Sequence, residues 1–464
     1  MSLFQQLYDN YNDYHISEIE NNRFQPKDFY RVLEPLASKF GMFKLGSSVE
    51  GRPIFSITIG EGSVRVLLWS QMHGNESTAT RAILDILQFF NNPGVLADAH
   101  HDILNKLTVC IIPMLNPDGA ERFQRRNALE IDINRDARVF ASPEALILKS
   151  IIKDFNPDIA FNLHDQRRFY NIKGTAKPST MAFLSPAYNQ QEEINSTRSK
   201  AMHLIAGMRM DLETVIPDQV GIYKDSFSPR AFGDYCQAQG VTTVLVESGW
   251  QRCDVEKEYV RKLNFCSLLS AFNTIANNSY NQFTVADYQT IPMNDEKLFD
   301  VLIRGIGFKS GNGTIKYDIG IHRTEETING SKAYYSNGVI ADIGDLKEYY
   351  GFEEVDGGEL VVNCGNVCTD YTHSWQDLSK VEVLELLKQG YLYLRIDKHI
   401  NICDSDLPIN LIHEDFTPPT QPIFEDSANL ILRSASGDIK FIVVNGFLWD
   451  IKQPIPLAVH GRVL

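Results

Sequence analysis

The chain has 464 residues, of which 43% are hydrophobic, and a formal net charge of -15 at pH 7. Because this length exceeds what one hydrophobic core usually supports, we expect two globular domains. The acidic balance, with no block rich in lysine and arginine, argues against nucleic acid as a partner.

The N-terminal segment has no basic stretch followed by an apolar one, and no run of about 18 apolar residues occurs in the chain. We therefore expect no membrane association and a cytoplasmic location. The seven cysteines form no dense framework, and their odd number is typical of reduced thiols. No pattern in the chain indicates the oligomeric state.

The first 280 residues alternate between strand-like and helical segments. Apolar runs predict strands at 55–59, 64–69, 107–115, 159–163 and 241–246. Helical spacing of apolar residues predicts helices at 28–40, 78–90, 143–155 and 191–212. The first two strands are expected to pair with each other. The alternation predicts an α/β fold in which a mixed, mostly parallel sheet is flanked by helices.

The pattern of the sequence changes near residue 290. Residues 277–288 are polar and are interpreted as a linker. Beyond them, short β runs are separated by glycine turns, which predicts a smaller, mostly-β C-terminal domain. The expected domains are residues 1–285 and 290–464.

Polar residues follow several strands of the predicted sheet, at the edge where α/β proteins bind ligands. His73 and Glu76 follow the strand at 64–69, and His164 follows the strand at 159–163. Imidazole and carboxylate groups are zinc ligands, and three of them leave a fourth position open for catalysis. The H-x-x-E pair alone is also compatible with a solvated turn, but His164 supplies the third ligand. The three residues together predict a zinc site.

A carboxylate and a group of arginines lie in the same predicted crevice. Glu247 follows the strand at 241–246, where it is expected to act either as a proton acceptor for metal-activated water or as a structural ion-pair partner. Arginine side chains bind carboxylates and stabilise oxyanions, but the spacing does not choose among the available ones. These are Arg125, Arg126, Arg135 and Arg138.

With these residues in view, the chain resembles the zinc carboxypeptidases related to carboxypeptidase A, and most of all their compact bacterial members. Six elements occur in the order of that family over about residues 28–270. They are LGSSVEGRPI at 45–54, HGNE at 73–76, NPDG at 116–119, RRNALEIDINR at 125–135, His164 and Glu247.

The resemblance implies a role for each matching residue. It implies one zinc per chain, held by His73, Glu76 and His164, with Glu247 as the general base and acid. The resemblance also selects Arg125 as the residue that polarises the scissile carbonyl. The resemblance implies that Asn134 and Arg135 bind the terminal carboxylate of the substrate. It implies that Asp132 accepts a hydrogen bond from a zinc-binding imidazole. It also implies a tyrosine that closes over the substrate, which is Tyr223, with Tyr235 as the alternative.

The chain departs from the family pattern at three positions. Glu130 replaces a common glycine, and Asn75 replaces the arginine by which digestive members hold extended peptides. Asp136 follows Arg135 where many relatives have asparagine. We expect Asp136 either to favour a substrate with an extra amine or to pair with Arg138. The change at Asn75 points to a short or unusual substrate.

The expected activity is that of a zinc metallocarboxypeptidase, a hydrolase acting on a peptide with a free C-terminal carboxylate. The alternative is an amidase or deacylase that acts on an N-acyl amino acid or a muropeptide fragment. Residues 232–234 are expected in the side-chain pocket. The C-terminal domain resembles the β-sandwich of amidohydrolases, without their barrel.

Overall fold

The computed structural model describes residues 1–223, 226–311, 313–328, 333–369, 379–396 and 403–464. These residues form two compact units. The first is Met1–Glu296, and the second comprises Lys297–Ile328 and Ala333–Leu464. None of the helices in the described ranges combines the length and the apolar character needed to cross a bilayer.

The first unit is built on a mixed eight-stranded sheet in the order β1-β2-β4-β3-β5-β9-β7-β8. Its strands, together with the short pair β6 and β10, are β1 Gly41–Ser47, β2 Pro53–Ile59, β3 Val64–Trp69, β4 Leu107–Ile112, β5 Ile159–Asp165, β6 Tyr170–Ile172, β7 Met181–Leu184, β8 Val220–Ile222, β9 Thr242–Ser248 and β10 Asn294–Glu296. The central strands β4, β3, β5 and β9 are parallel, whereas β1, β2 and β7 introduce antiparallel pairs.

Helices pack on the sheet or on one another through their buried apolar residues. They are α1 Leu3–Asp9, α2 Pro26–Ala37, α3 Thr78–Asn91, α4 Ala97–Lys106, α5 Pro117–Arg122, α6 Pro143–Phe155, α7 Ser196–Leu212, α8 Phe232–Ala238, α9 Glu258–Ala276 and α10 Val285–Gln289. Two separate clusters of buried hydrophobic residues result, one containing Phe161 and Phe272 and the other containing Trp69 and Phe232. The predicted fold class of this region is confirmed.

Two expectations about this region are wrong. Strands β2 and β3 do not pair, because β4 lies between them and bonds to both. The segment at 277–288 is not a plain linker, because it contains a 3-10 turn at Ser279–Gln282 and helix α10. Thr284 and Asp287 form a capping box at the start of α10, and the side chain of Tyr288 is buried.

Two of the sequence elements that resemble the family have structural roles. Asp118, in the NPDG segment, accepts hydrogen bonds from the Ser48 hydroxyl at 2.7 Å and from Arg52 Nη1 at 2.7 Å. A Cβ atom added to Gly74 would lie 2.0 Å from the carbonyl carbon of Gly119. Gly74 therefore lets the loop that carries His73 rest directly on the backbone of α5, and Gly119 lets the same helix approach the Arg126 carbonyl, which would lie 2.7 Å from an added Cβ atom.

The second unit is mostly β, as predicted. Its largest sheet runs β13-β12-β11-β15-β20-β21-β22, with β14 also paired to β11, and two smaller sheets accompany it. The elements are β11 Leu298–Ser310, β12 Gly313–Ile328, β13 Ala333–Gly344, β14 Tyr350–Asp356, β15 Leu360–Asn363, β16 Asn366–Cys368, α11 Lys380–Gln389, β17 Tyr391–Arg395, β18 Asp404–Ser405, β19 Asn410–Ile412, β20 Leu430–Ser434, β21 Ile439–Val444, β22 Phe447–Asp450 and β23 Gly461–Arg462. The resemblance of this unit to the amidohydrolase β-sandwich stays a prediction.

Candidate metal centre

Three of the predicted residues converge at the carboxyl ends of the parallel strands. His73 and Glu76 lie in the loop after β3, and His164 is near the end of β5. One potential ligand atom from each lies within 4.8 Å of the others, and all three residues are buried. In the described part of the chain, this is the group of histidine, cysteine, aspartate and glutamate residues with the geometry to hold a metal ion.

The donor atoms of the three residues fit a zinc ion. His73 Nδ1 lies 2.7 Å from Glu76 Oε1, and His164 Nδ1 lies 2.7 Å from Glu76 Oε2. Both imidazoles thus direct the same ring nitrogen towards one carboxylate. Two nitrogen donors and one oxygen donor match a three-residue zinc site that keeps a further position open.

The remaining nitrogen of His73 is held by a second carboxylate. His73 Nε2 lies 3.0 Å from Asp132 Oδ1, and Arg125 Nε donates to Asp132 Oδ2 at 3.0 Å. A carboxylate at this position orients the imidazole and fixes which nitrogen is free to bind a metal. The structure therefore places Asp132 where the family resemblance expects it.

The charged groups in this cluster shift one another's pKa values. Burial alone would raise the pKa of Glu76, but the two imidazoles outweigh burial and hold that pKa below its usual range. For His73, burial acts to lower the pKa, yet the negative charges of Glu76 and Asp132 raise it. The pKa of His164 is lowered, mainly by burial. A neutral His164 has a lone pair available for a metal ion.

Glu247 lies beside the three residues but is not hydrogen-bonded to them. It is the register partner of His164 across β5 and β9, so both side chains leave the same face of the sheet. No group in the described part of the chain donates a hydrogen bond to its carboxylate. Burial, followed by the negative charges of Glu76 and Asp165, raises the pKa of Glu247 well above its usual value. A partly buried carboxylate with a raised pKa, to which no described group donates a hydrogen bond, is typical of a proton-transferring group.

Arg125 also reaches the cluster. Its Nη1 atom donates to Glu76 Oε1 at 3.2 Å, and 44% of its side chain remains exposed. Arg126 instead donates to the backbone carbonyl of Glu130 at 2.7 Å. The two neighbouring arginines therefore have different partners, and of the two only Arg125 is directed at the candidate metal site.

Asn134 and Arg135 are placed differently from each other. Asn134 Oδ1 accepts a hydrogen bond from the backbone N–H of Phe232 at 2.9 Å, which leaves its Nδ2 atom 3.5 Å from His164 Nε2. Arg135 is exposed, and its Nη1 atom donates to the backbone carbonyl of Asn134 at 2.7 Å. In the part of the chain that the structure describes, Arg135 makes no contact with the three candidate ligands, and it lines a cavity together with Asp132.

The two candidate tyrosines, Tyr223 and Tyr235, lie in different surroundings. The Tyr223 hydroxyl donates to Gln166 Oε1 at 2.7 Å, and burial, with the charge of Glu247, raises its pKa. Tyr235 instead packs its ring against Phe140, with ring centroids 5.3 Å apart. Of the two, only Tyr223 has its hydroxyl in the surroundings of Glu247.

The carboxylate of Asp136 holds the turn before α6. Its carboxylate accepts hydrogen bonds from the backbone N–H groups of Ala141 and Ser142, at 2.9 and 2.8 Å, and from the Ser142 hydroxyl at 2.9 Å. No ion pair joins it to Arg138 in the described part of the chain. The expected pairing with Arg138 is therefore wrong, because both oxygens of Asp136 hold this turn, whereas its expected effect on substrate choice stays a prediction.

The predicted pocket residues lie at the start of α8. Phe232 and Asp234 are buried, and a Cβ atom added to Gly233 would lie 3.7 Å from Asn162 Nδ2. Burial raises the pKa of Asp234 to about 6. The nearest atom to that Cβ would be Pro186 Cγ at 3.0 Å, so Gly233 lets the start of α8 pack closely against Pro186, and the expected side-chain pocket stays a prediction.

Several neighbouring residues were not predicted from the sequence. Gln166 holds Tyr223, and Asp165 donates its backbone N–H to Glu76 Oε2 at 3.2 Å. Lys257 Nζ in turn lies 3.1 Å from Asp165 Oδ2. Asp165 and Gln166 could have been predicted as site residues, because they directly follow His164 in the sequence. Nothing local indicated Lys257, which reaches the site from the start of α9.

A three-residue site of this kind, at the carboxyl ends of parallel strands, is typical of metal-dependent hydrolases. Residues 32–171 match the family described as zinc carboxypeptidase. This match confirms the family resemblance inferred from the sequence. It includes all three candidate ligands and ends before Glu247.

Similar proteins support the same assignment over part of the chain. Carboxypeptidase 2 of Trichophyton rubrum is 32% identical over 105 residues, which is 22% of this chain and 18% of that protein. Human carboxypeptidase D is 26% identical over 176 residues, which is 30% of this chain and 13% of that protein. The chain therefore spans less than a fifth of the length of these two relatives.

Solved structures with a similar fold include metallo-carboxypeptidases of two bacteria. The one from Burkholderia cenocepacia has a TM-score of 0.44 and 18% identity, and the match covers 55% of this chain and 70% of that one. The one from Pseudomonas aeruginosa, in complex with (2-guanidinoethylmercapto)succinic acid, has a TM-score of 0.45 and 16% identity, with 55% and 70% covered.

Proposed function

We propose that this protein is a zinc-dependent carboxypeptidase that hydrolyses the C-terminal peptide bond of its substrate. The observation that carries the proposal is the convergence of His73, Glu76 and His164 beside Glu247, a carboxylate without a hydrogen-bond donor. We propose one zinc ion per chain, held by the three converging residues. Bound there, zinc would supply the Lewis acid that activates water and polarises the scissile carbonyl.

Glu247 is the proposed general base and acid. It takes a proton from the attacking water and delivers it to the leaving amine, so it must be able to hold a proton between the two steps. The raised pKa of its carboxyl supports this role, because burial and the nearby acidic residues make protonation easier.

Three further residues are proposed to bind the substrate. Arg125, whose guanidinium is held by Asp132, stabilises the negative charge that develops on the scissile carbonyl oxygen. Asn134 and Arg135 bind the terminal carboxylate, for which a guanidinium offers paired donors. Tyr223, with its hydroxyl protonated, closes the site as a hydrogen-bond donor.

The proposed domain roles follow from this assignment. Residues 1–285 form the catalytic domain, and residues 290–464 form an accessory domain. The cytoplasmic location expected from the sequence stays a prediction.

The test combines metal analysis with two substrate classes. We expect about one zinc per chain and release of the C-terminal amino acid from N-blocked peptides. Hydrolysis of N-acyl amino acids or muropeptide fragments alone would favour the amidase or deacylase alternative and overturn the peptidase proposal.

The Glu247→Gln variant tests the assigned base. We expect turnover to fall by about 10²–10⁴-fold while zinc stays bound. The exposed Glu61 offers a matched control, because Glu61→Gln removes the same charge away from the site and should leave turnover unchanged. A fully active Glu247→Gln protein would refute the role of Glu247.

A further inference from the structure

A cavity of about 610 Å³ opens beside the candidate metal centre. Its lining includes three arginines from separate parts of the chain, Arg126, Arg135 and Arg230. This clustering of positive charge stands out in a chain with a net charge of -15.

Backbone contacts hold two of these arginines at the cavity. Arg126 Nη1 donates to the Glu130 carbonyl at 2.7 Å, and Arg230 Nε donates to the Arg135 carbonyl at 3.1 Å. The backbone of Arg230 is itself fixed, since its carbonyl accepts the N–H of Ala137 at 3.0 Å. The guanidinium groups are thus positioned by neutral carbonyl groups.

No described carboxylate forms an ion pair with any of the three arginines. Two of the acidic residues in the lining are already committed: Asp132 to His73 and Arg125, and Asp136 to the turn before α6. Glu130, at the exposed rim, is the remaining acid. Hydrogen bonds from neutral groups leave the charge of Asp136 in place, so the three guanidinium groups face two carboxylates without a cationic partner, Glu130 and Asp136, and the cavity keeps one positive charge in excess.

We propose that this cavity binds a second carboxylate of the substrate, carried by the side chain of its C-terminal residue. The inference rests on the proposed function, in which Arg135 binds the terminal carboxylate. An aspartate or glutamate carries its side-chain charge only a few bonds from the terminal one. Both charges can therefore lie among Arg126, Arg135 and Arg230, where each guanidinium has donors to spare. The preferred substrate is a peptide that ends in an acidic residue.

The first experiment measures anion binding without any reaction. Glutarate, which carries two carboxylates, is titrated calorimetrically into the full-length protein and into the double variant Arg126→Gln/Arg230→Gln. We expect the double variant to bind glutarate about 10–100-fold more weakly, the usual effect of losing charge-assisted hydrogen bonds. Arg138→Gln is the matched control, because this exposed arginine does not line the cavity. Equal glutarate affinity in the double variant and in the unaltered protein would overturn the proposal.

The second experiment compares two blocked peptides that differ only in a C-terminal glutamate or glutamine. We expect kcat/KM to favour glutamate by at least about tenfold, and we expect this ratio between the two peptides to fall towards one in the double variant. Thermal unfolding checks that the double variant keeps its fold. Hydrolysis without a preference for glutamate would overturn the inference. A third outcome is that glutarate binding depends on the arginines but neither peptide is hydrolysed. This result would overturn the proposed function while leaving the anion site in place.

Discussion

The first unit contains two clusters of buried charge that are organised in opposite ways. In one, Asp85 on α3 and Arg261 on α9 are both fully buried, and Arg261 donates to the two Asp85 oxygens at 2.6 and 2.8 Å. The Tyr11 hydroxyl and the Ile16 backbone N–H complete the hydrogen bonds to Asp85. In the other cluster, around His73 and Glu76, none of the described residues donates a hydrogen bond to Glu247. One cluster is complete without a ligand, and the other has an excess of negative charge.

This difference separates a structural use of buried charge from a functional one. A buried ion pair whose donors and acceptors are all satisfied ties two helices together and offers nothing to a ligand. A cluster with an unsatisfied carboxylate costs stability, and a bound cation would offset that cost. Variants that break each cluster should therefore change different properties.

The largest effect is expected where a buried pair loses one member. In Asp85→Asn, Arg261 keeps its charge but loses the counter-ion, so the free energy of unfolding should fall by about 3–5 kcal/mol. Urea titration measures the loss, and the activity per folded molecule should be unchanged. The exposed Asp98 provides the control, because Asp98→Asn should change stability by less than about 0.5 kcal/mol. A loss of under about 1 kcal/mol in Asp85→Asn would show that the cluster is not structural in this sense.

In the candidate metal centre, the corresponding change should alter metal affinity more than folding. Asp132→Ala removes the acceptor of His73 Nε2 and frees the imidazole to rotate. We expect the zinc affinity to fall by about 10–100-fold, measured by competition with a chromogenic chelator. Glu130→Ala removes a nearby exposed carboxylate without a contact to His73, so its zinc affinity should be unchanged. Equal zinc affinity in Asp132→Ala and the unaltered protein would contradict the positioning role of Asp132.

Neutralising Glu247 should stabilise the metal-free protein, the reverse of the effect at Asp85. Because the folded-state pKa of Glu247 is raised, the folded protein holds this proton more tightly than the unfolded chain. Below the unfolded pKa of about 4.3 both states are protonated and the residue has no effect. As the pH rises above that value, ionisation favours the unfolded chain and the unaltered protein loses stability.

Glu247→Gln removes this penalty, and we expect it to be about 1 kcal/mol more stable than the unaltered protein at neutral pH, the lower end of the range for an unsatisfied group, because Glu247 is only partly buried. The advantage should vanish near about pH 4. Urea midpoints in the presence of a chelator test both statements. A Glu247→Gln protein less stable than the parent at neutral pH would place Glu247 with Asp85 among the structural charges.

The parts of the fold that depend on local sequence were predictable. Helix α6 has the predicted limits, because proline and Ser142 mark its start and the left-handed Asn156 marks its end. The strand and loop that carry His73 were likewise visible as an apolar run followed by polar residues. Strand pairing was not, since β2 and β4 are neighbours in the sheet but about 50 residues apart in the chain.

The same limit applies to the site. The three candidate ligands could be predicted because residue type and position at strand ends suffice to suggest them. The environment of Asp136 could not, since its partners become visible only when the turn at 141–142 folds back on it. Arg230 reaches the cavity from the segment before α8, and neither spacing nor composition connects it with Arg126.

The smallest expected effect concerns the backbone rather than charge. Asp85 and Arg261 lie within regular helices, whereas Glu130, near the metal centre, has a φ of 58°. This left-handed conformation costs an L-residue about 1–2 kcal/mol, and the resembling family commonly has glycine here. Glu130→Gly removes that strain but adds about 0.5–1 kcal/mol of unfolded-chain entropy, so a net gain of up to about 1 kcal/mol is expected in urea titration. Glu130→Ala keeps the Cβ atom and should give no gain. If the two variants were equally stable, the effect would come from removing the side-chain charge rather than from relieving backbone strain. The two clusters of charge would then differ only in their electrostatics.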